Sequence, residues 1–176
     1  MAGVYSSQHH RLHPENVLSC VIAEIVQGLW PGKLAVSPLP TTQADVEAIA
    51  RWAADIVVTL MPFDELQTLE RQAIESEIAA LDIAWRHAPI VDYGVPEATF
   101  QAIWPDLRDD LLCRLNTGEN VLVHCRGGYG RSGSVAAALL VHGGEAPERA
   151  IEMVRSSRPG AIETPGQEDW IRQQRQ

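Results

Sequence analysis

Cys125 stands at the end of an apolar run, Val121–Val123, and at the head of a glycine-rich turn: His124, Cys125, Arg126, Gly127, Gly128, Tyr129, Gly130, Arg131, Ser132. Closely spaced glycines let consecutive backbone N–H groups face one side, and a concave ring of amides at a helix N-terminus binds a tetrahedral anion. Phosphate is the natural guest. The same amides, with the helix dipole, favour thiolate over thiol at Cys125 and so supply a nucleophile. Arg131 can offer its planar fork to two phosphoryl oxygens and hold the charge of an in-line transition state, which a lysine would do less well. The hydroxyl of Ser132 can donate to the sulfur and improve it as a leaving group; the same serine could simply cap the helix.

A phosphoester leaving group departs badly unless it is protonated, so the chemistry also needs a carboxylic acid that later takes a proton from water. Two aspartates compete. Asp92 follows an apolar run ending at Val91, in a loop with Gly94 and Pro96; Asp106 falls inside a helical pattern over 97–115. A helix packed on a sheet cannot easily swing its aspartate over the turn, and Pro105 and Asp106 suit the first turn of a restarted helix. Asp92 is therefore the candidate acid, with a turn or capping role as its alternative.

The series HCRGGYGRS resembles the signature of the protein tyrosine phosphatase superfamily: His-Cys, five residues, Arg, then Ser or Thr. Its form is similar to the dual-specificity branch, particularly the kinase-associated phosphatase group. The segments HAPIVDYGVP, from His87 to Pro96, and GAIETPGQ, from Gly160 to Gln167, are similar to that group's sequences on either side of the signature. The resemblance covers most of Val17 to Gln176.

It implies a phosphocysteine intermediate on Cys125, a substrate cradle from Arg126, Gly127, Gly128, Tyr129, Gly130 and Arg131, and an acid about thirty residues upstream, the place of Asp92. Trp104, Pro105 and Asp106 spell the Trp-Pro-Asp of other tyrosine phosphatases, but too close to the cysteine. His124 would tune Cys125 through a hydrogen bond, or make a purely structural one. Gln167 would help place the hydrolytic water, or be an ordinary helix-surface residue. Arg126 could add charge to the pocket or form a salt bridge beneath the loop.

These groups need a scaffold. Cys20–Val26 and Leu34–Val36 read as a hairpin, Thr41 or Thr42 can cap a helix over 44–54, and 56–60 reads as a buried strand. A helix over 64–81 and a strand over 85–91 follow; Pro105 should kink or split the helix over 97–115. A strand over 120–124 is buried on both faces, and helices begin near Ser132, Pro147 and Pro165. Alternating strands and helices make an α/β domain with a central, mainly parallel sheet flanked by helices on both faces, its ligand beyond the strands' carboxyl ends. Residues 1–16 read as a flexible tail and 17–176 as one phosphatase domain. His9, His10 and His13 in that tail could chelate a metal but read as solvated.

The chain has 176 residues, is 45% hydrophobic and 21% charged, and carries a formal net charge of −9, the usage of a globular domain without long-range attraction for nucleic acid or an anionic membrane. There is no bilayer-spanning run and no signal-peptide pattern, so a soluble, cytoplasmic protein is expected. Cys20, Cys113 and Cys125 form no CxxC pair, as suits a reducing compartment; Cys20 and Cys113 read as core fillers or as oxidative partners of Cys125. Phosphoinositide phosphatases of the superfamily it resembles tend to place several lysines in this turn, and here there is none. The resemblance thus implies a phosphorylated protein or peptide substrate, phosphotyrosine with phosphoserine and phosphothreonine accepted by a shallow pocket, with a phosphoinositide or other small phosphoester as the alternative. Rhodanese-type sulfur transfer needs no acid, and a non-catalytic phosphate-binding module needs no nucleophile. No metal or cofactor is called for, since amides and Arg131 neutralise the phosphoryl charge.

Overall fold

A computed structural model describes residues 21–174. Among these residues five strands form one sheet in the order β1-β2-β5-β3-β4: β1 (Ala23–Ile25), β2 (Leu34–Ser37), β3 (Ile56–Thr59), β4 (Ala84–His87) and β5 (Val121–His124). β1 runs antiparallel at the edge, closing the expected hairpin, and the other pairings are parallel. Among the described residues seven helices surround it: α1 (Gln43–Arg51), α2 (Phe63–Thr68), α3 (Ile74–Ala79), α4 (Ala98–Asn116), α5 (Gly130–His142), α6 (Pro147–Ser157) and α7 (Pro165–Arg172).

The central strands are buried on both sides, and alternate residues serve different cores. Val121 and Val123 of β5 pack with Val58, Leu111, Leu139 and Trp170, under α4–α7. Leu122, between them, packs with Val57, Ile49, Leu66 and Ile78, under α1–α3. A period of two along the strand thus welds both layers to one sheet. Each such aliphatic side chain withdrawn from water is worth about 1.5–3 kcal/mol.

The register ends the strands at one level, with Ser37 and Thr59 both beside His124, and His87 beside Thr59. Everything that leaves these ends converges on the turn after His124.

Three expectations need correction. The single helix over 64–81 is two helices, α2 and α3. The break comes where Glu70 adopts a left-handed backbone (φ 55°) and the Arg71 amide reaches back to the Leu66 carbonyl at 2.8 Å. Arg71 then forks onto the Glu77 carboxylate, while Leu66, Ile74 and Ile78 all reach the same core. A turn without glycine or proline leaves no sequence signal. Second, the helix is not split at Pro105: α4 runs as one element through it. The carbonyl that Pro105 leaves without its amide partner belongs to exposed Gln101, where water can serve it. Third, β4 ends at His87, although amides of Ala88 and Ile90 still donate to Thr59 and Leu60 carbonyls and carry the chain alongside β3. Thr42 caps α1 in a capping box with Asp45, as its sequence suggests. The expected tail, with His9, His10 and His13, and Cys20 lie outside the described residues.

Candidate active site

Cys125 follows β5 directly and its sulfur is buried against the start of α5, where Ser132 Oγ lies 3.3 Å from Sγ. Between them the chain turns through residues 126–130, and the fate of its carbonyls defines the site. The Arg126 carbonyl accepts from the Leu39 amide at 3.0 Å. Those of Gly127 and Gly128 accept from Arg158, at 3.0 and 3.3 Å. The Tyr129 carbonyl accepts from Gly133 and Ile162 amides at 3.0 and 3.3 Å, and the Gly130 carbonyl from Ser134 Oγ at 2.7 Å. Every one has a donor outside the turn.

In a trans peptide C=O and N–H point in opposite senses, so carbonyls held outward put amides inward. Among the described residues, the amides that share peptide groups with these carbonyls, those of 127–131, donate to no protein atom. Five such donors turned to one side at a helix N-terminus can form an anion site. Gly128 is required there: its φ is +72°, and a Cβ would sit 2.5 Å from the Ser37 carbonyl carbon and 2.6 Å from Pro38 N.

Arg131 is 2% exposed and almost fully engaged. Nη1 donates to Glu65 Oε2 at 2.6 Å and to the Ile90 carbonyl at 3.3 Å; Nη2 donates to Glu65 Oε1 at 3.1 Å and pairs with Asp92 Oδ1 at 2.8 Å. Burial by itself would depress its pKa, but the Glu65 hydrogen bonds and the neighbouring Cys125, Glu65 and Asp92 charges raise it above the ordinary arginine value. Nε makes no bond to a described residue and is left for a ligand.

Asp92 therefore lies at the guanidinium, its carboxylate also accepting the Tyr93 amide at 3.1 Å. Tyr93 takes a left-handed backbone (φ 54°) to turn the loop there. Asp106 lies elsewhere, exposed on α4 beside a 430 Å³ groove shared with Arg86, His87 and Asp110, while neighbouring Trp104 is buried against Phe100 and Trp170. The Trp-Pro-Asp spelling is a stretch of core helix.

His124 is fully buried. Its Nδ1 faces the Cys125 carbonyl at 3.4 Å and its Nε2 lies 2.7 Å from Thr59 Oγ1, which itself accepts the Trp85 indole N–H at 2.9 Å. Burial first, and then the positive charge of Arg131, push its pKa down to about 4 despite the favourable Cys125 carbonyl. A neutral ring carries one proton, and only Nδ1–H suits a carbonyl; Nε2 then accepts from the Thr59 hydroxyl.

Gln167 is buried, not a surface residue of α7. Its Oε1 accepts from the Glu163 and Thr164 amides, closing the capping box of α7, and its Nε2 donates to the Gly94 carbonyl at 3.2 Å. It thereby ties the Asp92 loop to α7 and lies close against Gly130. Arg126 is exposed and forms no ion pair with a described residue, so the salt bridge considered for it is not made. Cys113 is exposed on α4, which rules out a core-filling role.

Glu65, Thr59, Trp85 and Arg158 had no sequence signal. Each sits on an element distant in sequence from the turn, with a residue type common at its position.

A family model described as "Swiss Army Knife protein, DSP-PTPase phosphatase domain" matches residues 23–171. Human cyclin-dependent kinase inhibitor 3 is 37% identical over 92 residues, 51% of this chain and 42% of that protein. The putative tyrosine phosphatase 067L of Invertebrate iridescent virus 3 is 33% identical over 91 residues, 49% of this chain and 38% of that one. The chain thus matches less than half the length of these curated relatives. Among solved structures, kinase associated phosphatase with its catalytic cysteine replaced by serine superposes with a TM-score of 0.78 at 25% identity, covering 87% of this chain and 92% of the other. Tk-PTP in its active form gives 0.72 at 29% identity, covering 86% and 95%.

Proposed function

The chain belongs to the dual-specificity branch of the protein tyrosine phosphatases and is similar to the kinase-associated phosphatase group, and from this premise we propose that it hydrolyses phosphotyrosine, and phosphoserine or phosphothreonine, in proteins or peptides. The observation that carries the reading is the ring of inward amides around the sulfur of Cys125. It can hold three phosphoryl oxygens while the thiolate sits behind the phosphorus atom.

In the first step the Cys125 thiolate forms the S–P bond as the P–O bond to the leaving group breaks. Protonated Asp92 gives its proton to the departing oxygen, and Arg131 with the amides stabilises the equatorial charge. In the second step water attacks phosphorus and returns a proton to Asp92. The S–P bond breaks, inorganic phosphate leaves, and Ser132 donates to the regenerated thiolate. The names of the relatives, cyclin-dependent kinase inhibitor 3 and kinase associated phosphatase, support a phosphoprotein substrate. Among the described residues no helix is long and apolar enough to cross a membrane.

The test is p-nitrophenyl phosphate and phosphotyrosine-peptide turnover by the wild type and Cys125→Ser, with thiosulfate and cyanide as the competing substrates. Turnover of both phosphoesters, abolished in Cys125→Ser, is the expected result. Thiocyanate formation without phosphate release would establish sulfur transfer instead, and peptide capture without turnover a binding module.

A further inference from the structure

Arg158 is the last residue before a turn, its amide bonded to Val154 and its carbonyl to the Ala161 amide, so its backbone is fixed just beyond α6. From there its side chain reaches the outer side of the phosphate turn. Nη2 donates to the Gly127 carbonyl at 3.0 Å, Nε to the Gly128 carbonyl at 3.3 Å, and the guanidinium lies 4.1 Å from the centroid of the Tyr129 ring. Gly160 lies against the same ring. No ion pair joins Arg158 to any described residue, so its charge is not cancelled locally.

The two carbonyls it holds belong to the peptide groups whose N–H atoms are those of Gly128 and Tyr129. Planar trans peptides make the two ends of each group inseparable: fixing C=O outward fixes N–H inward. These are also the peptides that most need fixing. Two successive glycines, Gly127 and Gly128, have wide backbone freedom, and without an outer anchor their amides would spend time turned away from the anion. A single rigid fork meets both carbonyls at once, and its stacking on Tyr129 sets the position of the fork.

We infer that Arg158 is a positioning residue for the anion cradle, holding the amides of Gly128 and Tyr129 toward a bound phosphoryl group. The inference rests on the phosphatase reading for its consequence in turnover, but not for its consequence in phosphate binding. Lysine, which can donate to carbonyls and keeps the charge but lacks the fork and the flat stacking face, should restore part of what alanine removes.

The experiment compares wild type, Arg158→Ala and Arg158→Lys by the protection that inorganic phosphate gives Cys125 against iodoacetamide, by kcat and KM for p-nitrophenyl phosphate, and by thermal unfolding. Charge-assisted hydrogen bonds of this kind make the expected loss for Arg158→Ala on the order of tenfold in phosphate protection and in kcat/KM. Arg158→Lys should fall between. Phosphate protection and KM unchanged in Arg158→Ala, at a temperature where it is folded, would overturn the inference even if its melting temperature dropped. Weakened protection in a protein whose wild type never turns over p-nitrophenyl phosphate would sustain this role and refute the enzyme.

Discussion

Replacing His124 with asparagine tests whether a neutral, buried imidazole underlies the turn. In the folded chain its pKa is about 4, against 6.5 for an unperturbed histidine. The folded state resists the proton that the unfolded chain accepts, so this residue's stability contribution is fully present above pH 6.5 and is lost as pH falls toward 4. The full loss is about 3 kcal/mol at 1.36 kcal/mol per unit, and the part realised between pH 7.5 and pH 5.0 is about 2 kcal/mol. Asparagine does not titrate, and its amide can still donate toward the Cys125 carbonyl. The variant will be less stable at every pH because the Thr59 hydroxyl loses its acceptor. Its stability should nonetheless fall less than that of the wild type on acidification, by that same 2 kcal/mol. Urea unfolding at the two pH values, extrapolated linearly to water, measures the difference. Contributions of the other histidines and of the carboxylates are common to both proteins and cancel. Equal losses in the two would mean that His124 is charged, or already compensated, in the folded state, and the tautomer assigned above would be wrong.

Asp92→Asn should slow turnover of alkyl and unactivated aryl phosphates by about 100-fold or more while sparing p-nitrophenyl phosphate, whose leaving group hardly needs a proton; Asp106→Asn should leave both near wild type, and the opposite ranking would reassign the acid. Glu65→Gln removes the charge that braces Arg131 in a nearly dry setting. It should cost roughly 2–3 kcal/mol in chemical unfolding and lower kcat, whereas a change under 0.5 kcal/mol would show that Asp92 alone suffices. Gly128→Ala puts a methyl group into the Ser37–Pro38 backbone at a left-handed φ. Phosphate protection of Cys125 should disappear in it, and retention would show that the turn has room to move. Incubation with EDTA should leave p-nitrophenyl phosphate turnover within twofold of the untreated rate; a loss restored by added divalent cation would refute charge neutralisation by amides and arginine alone.

The parts legible in the sequence were those written locally. A strand, a glycine-rich turn and a helix are contiguous, so the placement of Cys125 beside Ser132 follows from a few adjacent residues. Asp92 was legible because a loop at the carboxyl end of a parallel strand opens toward the same edge as its neighbour. The helix carrying Asp106 was legible from periodicity. What the sequence withheld was long-range pairing among common residue types. Glu65 looks like any glutamate in the first turn of a helix, yet it meets Arg131, 66 positions on. Thr59 and Trp85 are ordinary strand residues until their register brings them to His124. Gln167 could be read as a surface residue because a glutamine is common on a helix; its spacing to buried Trp170 and Ile171 was the signal of its burial.

The pairing of Asp92 with Arg131 carries a consequence for the order of events. Nη2 is already shared between Glu65 and Asp92, so an oxyanion that takes Nε and Nη2 together must evict Asp92. The exchange swaps one negative partner for another, which keeps the arginine neutralised throughout. The evicted carboxylate is released only when an ester is in place, and it then takes up a proton, from the monoanionic ester or from solvent, before it can serve as the acid.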